Sequence, residues 1–145
     1  MALREIHSQH YSWRKKLAIQ GELCAAEYLS NLGYTIITRN WRAGRHGEID
    51  IIAKAPANAQ DESLVFVEVK TRIASGTEDG IYPLGFEAIN KAKQLKIMRS
   101  AWRFQQTTKT WASVRFDAIV VIYRVAACYD REIIHVPNAF APSNF

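Results

Sequence analysis

Two short stretches, GEIDIIAK and LVFVEVKTR, carry charge inside otherwise apolar runs that alternate with a period of two. Successive side chains of a strand point to opposite faces, so each stretch has two faces to place. In the first, Ile49 and Ile51 point one way. Glu48 and Asp50 point the other, followed on that face by Ile52. In the second, Val65, Val67 and Val69 share one face. Leu64, Phe66, Glu68, Lys70 and Arg72 share the other, which begins apolar and ends charged. An antiparallel hairpin sets the start of one strand beside the end of the next. It brings the two charged ends together and puts the two apolar ends in a core.

The segment between the strands, Ala55 to Ser63, is polar and centred on Ala59. A hairpin symmetric about that centre sets Asp50 opposite Glu68 and Glu48 opposite Lys70. Opposed residues have Cβ atoms about 4.5–5.5 Å apart, so Asp50 and Glu68 are expected to share one divalent cation. A bulge would shift that register. Two carboxylates side by side on a half-buried face repel, and one holds a proton unless a cation neutralises both. A hard, oxygen-rich site favours Mg²⁺ or Mn²⁺. Such an ion polarises a phosphate oxygen and acidifies bound water. Lys70 points to the same place, where it can orient or deprotonate water and offset developing charge. The same spacing also suits an ion-pair ladder on an open sheet face, and Glu48 suits either an outer metal ligand or a partner for Lys70.

Around this pair the pattern predicts a helix from about Trp13 to Leu32, with Trp13, Leu17, Gly21, Cys24, Tyr28 and Leu32 on one stripe and Gly33 as its stop. Glu22 lies on a second stripe with Ala18, Ala25 and Leu29. The small residues let that helix sit close to a sheet. YTIITRN reads as a strand. A second helix is expected from about Phe86 to Phe104, with Ala88, Ala92, Leu95, Met98 and Trp102 facing inward. SVRFDAIVVIYRV is the most apolar strand and is read as central. REIIHVP adds an edge strand, with Pro137 at its end and an irregular tail from Asn138. The order is α-β-β-β-α-β with a last β, an α/β sandwich around a mixed sheet flanked by helices. Residues 1–11 are read as a flexible arm and 12–145 as a single domain.

Charge and composition narrow the partners. The chain has 19 basic and 14 acidic residues, a net charge of +5, which suits a polyanion or a solvated basic surface. Arg39, Asn40, Arg42, Arg45 and His46 cluster around Trp41 before the Asp50 strand, where cations beside an aromatic suit nucleic acid. His46 is read as a rim proton shuttle or a solvated loop residue. Arg72 suits a phosphate, as do Lys93 and Lys96 on the second helix. Asp117 is read as fixing Arg115 or Arg131. Cys24 and Cys128 are too far apart in sequence to suggest a zinc motif or disulfide framework. No apolar leader or membrane-length run is visible, so a soluble, cytoplasmic chain is expected.

The segments GEIDII and FVEVKTR resemble the motif of the PD-(D/E)xK nuclease superfamily, which includes restriction endonucleases and archaeal Holliday-junction resolvases. Asp50 matches its Asp, and Glu68-Val69-Lys70 its Glu-x-Lys. Ile49 stands where the motif often has Pro. More closely, GELCAAEYLSNLGYTIITRNWR, GEIDIIA, FVEVKTR and RFDAIVV, with NAF near the end, resemble the YraN-like family of bacterial proteins. The resemblance implies a restriction-endonuclease-like α-β-β-β-α-β core, catalysis by Asp50, Glu68 and Lys70, and a metal shell of Asp50 and Glu68 completed by Glu22. It implies a Mg²⁺- or Mn²⁺-dependent nuclease acting on DNA, with pairing into a homodimer as related resolvases do. A silent nucleic-acid-binding module of the same fold and a protein-interaction module are the alternatives.

Overall fold

A computed structural model describes residues 2–45, 47–57, 62–74, 89–124 and 130–141, with side chains from Ser12 onward. The elements are α1 (Ala2–Asn31), β1 (Thr35–Arg42), β2 (Glu48–Lys54), β3 (Leu64–Ala74), α2 (Lys91–Thr108), β4 (Val114–Arg124) and β5 (Arg131–Phe140). The strands form one mixed sheet in the order β1-β2-β3-β4-β5. Only β3 and β4 run parallel, as the α2 crossover between them requires. His46, Ala59, Phe86, Ala88 and Cys128 lie outside the described residues.

The sheet separates two apolar layers. On one side Cys24, Ala25 and Leu29 of α1 pack on Ile51, Val65, Val67, Val69, Ile119 and Val121. On the other, Ile97, Ala101 and Phe104 of α2 pack on Ile49, Ile52, Phe66, Phe116 and Phe140. Trp41 belongs to this second layer, edge-on to Phe104 at 5.4 Å. The valine and phenylalanine faces of β3 are thus divided as alternation demands.

Helix α1 stops where Gly33 takes φ +87. The Tyr34 N–H then donates to Leu29 O and the Gly33 N–H to Ser30 O, both at 3.0 Å, which satisfies two end carbonyls. A Cβ on Gly21 would overlap Thr71 Oγ1, so this glycine lets α1 lie directly on β3. The helix begins at Ala2 and so takes in the stretch read as an arm, where neither Gly nor Pro interrupts it.

Three expectations shift. Helix α2 starts after Asn90, whose side chain caps the Lys93 N–H at 2.9 Å, and its buried face is Ile97, Ser100, Ala101 and Phe104. Trp102, expected inward, is 56% exposed. The helix is rotated because Phe104 fits edge-on against Phe66. Strand β5 continues past Pro137 to Phe140. A register shift in its pairing with β4, together with φ +52 at Asn138, lets the chain pair again beyond the proline. Finally, Ile49 and Ile51 do not share a layer: Ile49 lies under α2 and Ile51 under α1. Alternation breaks at Asp50, across from Asn40, which takes φ +52 in β1.

Candidate active site

The register of the β2–β3 hairpin is the symmetric one, Ile51 opposite Val67 and Lys54 opposite Leu64. The ladder stops one residue short of Asp50 and Glu68. There the Asp50 side chain takes over: its Oδ2 accepts the Val69 N–H at 2.7 Å. A carboxylate oxygen thus takes an N–H of β3 just beyond the point where the β2–β3 ladder ends. Glu48 does not meet Lys70. It pairs with Arg42 of β1 instead, 3.5 Å away and largely in solvent, where such a pair contributes little.

Glu68 is 2% exposed. Its Oε1 accepts from Lys70 Nζ at 2.6 Å, and Lys93 Nζ of α2 lies 3.2 Å from the same oxygen. Its Oε2 is buried and has no hydrogen-bond partner among the described residues. Leaving a buried acceptor unmatched costs about 1–3 kcal/mol, more for a charged group. Asp50 is strained in another way. Burial and the Glu68 carboxylate push it up to about 7, with Glu22 adding to the rise. The Val69 N–H and Lys93 oppose it. Burial also raises Glu22, against a hydrogen bond from the Asn40 side chain, and Glu48 and Glu68 act in the same direction as burial.

Three acidic groups therefore feel one another, but they do not close into a ligand cage. Among the described residues, no three Asp, Glu, His or Cys side chains stand in metal-ligating arrangement. Asp50 and the orphaned Glu68 oxygen do fit a hard cation. Mg²⁺ commonly uses one or two carboxylates and fills its other positions with water and substrate phosphate. Glu22 stands outside that pair, engaged with Asn40.

The expected phosphate-binding groups stand in different surroundings. Arg39 and Arg45 are exposed. Lys96 lies beside Gly47, so this glycine adjoins α2. Arg72 donates to Thr71 O at 3.1 Å and lines a groove against α1 with Trp13 and Arg14, which the sequence reading did not single out. It also missed the contact of Lys93 with Glu68. The signal was available: Lys93 lies one turn before Ile97, on the stripe that continues to Ala101 and Phe104.

A second buried carboxylate lies on β4. Asp117 receives Arg115 Nε at 2.8 Å and Nη2 at 2.9 Å, and the Asn138 N–H at 3.0 Å. His135 Nε2 is 2.8 Å away, and Arg115 reaches on to the Tyr34 hydroxyl at 2.7 Å. Burial alone would raise Asp117. The bonds from His135 and Arg115 outweigh it and hold the carboxyl below its ordinary range. Asp117 does fix Arg115, as the sequence suggested.

Comparison with known proteins places this arrangement in a family context. The profile of the uncharacterised protein family UPF0102 matches residues 21–121. A UPF0102 protein of Treponema pallidum is 40% identical over 128 residues, 87% of this chain and 93% of that protein. One from Mycobacterium ulcerans is 41% identical over 125 residues, 85% and 93% of the two chains. One from Rhodococcus opacus is 37% identical over 126 residues, 86% and 95%. The matched span holds Glu22, Asp50, Glu68, Lys70 and Asp117.

Proposed function

The chain belongs to the uncharacterised protein family UPF0102, and we propose from its site that it is a divalent-metal-dependent phosphodiesterase acting on DNA. The observation that carries this reading is the unmatched Glu68 Oε2 beside an Asp50 raised to about 7. A carboxylate pair built only for stability would be saturated with donors. Asp50 and Glu68 would hold Mg²⁺ or Mn²⁺, which supplies Lewis acidity toward a phosphoryl oxygen and toward the attacking water.

The chain's own groups supply the rest. Lys70 Nζ, already held on Glu68, is placed to orient water and to offset charge gathering on the phosphoryl oxygens. Lys93 balances the remaining charge on Glu68. Arg39, Arg42, Arg45, Arg72 and Lys96 are the groups available to the flanking phosphates, and the net charge of +5 favours approach of a polyanion. Hydrolysis then forms a bond from water oxygen to phosphorus and breaks one ester P–O bond, whose oxygen leaves with a proton.

One observation favours a second reading, a binding module without turnover. Lys70 and Lys93 converge on the same Glu68 oxygen, so the lysines could serve only to neutralise it. The Lys70→Ala variant separates the two. Wild type and variant are purified side by side and assayed with Mn²⁺ on single-stranded, duplex, flapped and four-way DNA. The enzyme reading expects cleavage to fall by about 10²–10⁴, with DNA binding changed far less. Lys70→Arg should not restore it, because a planar guanidinium does not replace a compact ammonium. Equal cleavage by both proteins would defeat the assignment.

A further inference from the structure

Beside the carboxylates, a groove of about 540 Å³ runs between α1 and the end of β3. Glu22 and Lys70 belong to both the groove and the site. The rest of its wall differs in chemistry from the carboxylate pair. Trp13 is 40% exposed and Ile73 43% exposed, with Leu17 between helix and strand. Arg14 and Arg72 add charge, and the Arg14 guanidinium stands 5.9 Å from the Trp13 ring centroid.

An exposed indole, aliphatic walls and three cations, counting Lys70, form a surface of the kind that holds single-stranded nucleic acid. Bases stack on the aromatic, and the cations track the backbone. A base paired inside a duplex keeps its faces stacked on its neighbours and cannot turn one to Trp13, whereas an unpaired base can. The volume lies within the range of clefts that enclose small ligands, about 300–1,000 Å³, which suits a nucleotide or two and not a double helix.

We infer that this groove takes an unpaired nucleotide strand, with a base on Trp13 and phosphates on Arg14 and Arg72, and leads it to Asp50 and Glu68. The direction of the strand rests on the proposed phosphodiesterase reading; binding in the groove does not. The substrate class is therefore a nucleic acid with a single-stranded segment next to the bond that is cut.

The test is fluorescence anisotropy with labelled oligo-dT, oligo-U and a short hairpin duplex, in EDTA so that nothing is cleaved. Wild type should bind a single strand more tightly than the duplex. Trp13→Ala should lose about tenfold or more of that single-strand affinity, with duplex binding changed less than twofold. Trp13→Phe should keep most of it. Trp111→Ala, an exposed tryptophan outside the groove, should change nothing. The Arg14→Gln/Arg72→Gln double variant should flatten the plot of log K against log salt by about 1.4, two contacts at about 0.7 each. Tighter binding of oligo-U than of oligo-dT would keep the groove and make the strand RNA. Unchanged single-strand binding by Trp13→Ala, or equal losses on single strand and duplex, would overturn the inference. Cleavage of a flapped DNA by wild type with Mn²⁺ is read separately. Selective loss in Trp13→Ala with no cleavage leaves the groove standing and the reaction refuted. Cleavage by wild type with unchanged binding by Trp13→Ala does the reverse.

Discussion

Asp117 and Glu68 are both buried carboxylates on neighbouring strands, the second acting by its charge on a partly buried Asp50, and the two sites are built in opposite ways. Asp117 is completely buried, yet each of its oxygens meets donors from Arg115, and His135 and a backbone N–H complete the set. Its environment favours the charge. Asp50 and Glu68 lie where the β2–β3 ladder has ended, with one Glu68 oxygen unmatched among the described residues and the Asp50 carboxyl raised toward neutrality, in part by the Glu68 charge. The surroundings of Asp50 resist its charge. Buried groups are normally satisfied, so the difference marks Asp117 as part of the framework and sets apart the pair in which Glu68 Oε2 has no partner among the described residues.

The largest effect should come from the framework. Asp117→Asn removes the charge opposite Arg115, whose side chain is 18% exposed, and breaking a buried pair from one side costs about 3–5 kcal/mol. Asp50→Asn should instead leave metal-free stability at pH 8 unchanged or higher by about 1 kcal/mol, since Asn can still accept the Val69 N–H. Urea titrations of the two variants compare them directly. A loss for Asp50→Asn as large as that for Asp117→Asn would erase the distinction.

The two sites should also respond to pH with opposite signs. The folded protein holds a proton on Asp50 up to about pH 7, while the unfolded chain releases it near about 3.9. The folded state thus binds more protons between those values, and stability falls as pH rises through that window. Asp117 is lowered on folding. Its contribution is present above about pH 3.9 and is lost as pH falls through the folded value. Denaturation midpoints across pH 3–8 should show both slopes in the metal-free protein. Asp50→Asn should remove the decline between about pH 4 and pH 7, and Asp117→Asn the loss below it. Mn²⁺ at neutral pH should stabilise wild type by mass action and do little for Asp50→Asn.

The smallest change sharpens the picture of Glu68. Lys93 shares Glu68 Oε1 with Lys70 and opposes the rise of Asp50. Lys93→Ala therefore leaves more negative charge for a cation and should tighten Mn²⁺ binding by a few fold, about 1 kcal/mol at a half-exposed position. Calorimetry would show it. Weaker Mn²⁺ binding in the variant would mean that Lys93 organises the site and does not compete for it.

The hairpin was the most legible part of the molecule, because its information is local. A period of two assigns the faces of β3, and the polar connection centred on Ala59 gives the register seen at Ile51 and Val67. The hairpin also juxtaposed Asp50, Glu68 and Lys70 before any contact was known. Periodicity failed where a side chain intervened in the backbone. Once Asp50 Oδ2 takes the Val69 N–H, the ladder ends, Ile49 changes layer, and Glu48 turns to Arg42 rather than Lys70. Helix α2 was misrotated for a related reason: an apolar stripe with gaps fits more than one phase until Phe104 meets Phe66.

By itself the sequence determined the element order, the two-faced strands and the hairpin register, since each follows from local spacing. Only the tertiary structure decided which atoms the charged groups satisfy. Lys93 reaches Glu68 from 25 residues away in the chain, and His135 reaches Asp117 across a bulge. Trp13 and Arg14 line one groove with Arg72, between β3 and the helix that Gly21 lets lie close on it. Spacing reports local geometry. Whether a buried oxygen is matched or left open depends on which layers meet above it, and that separates the matched carboxylate of Asp117 from that of Glu68.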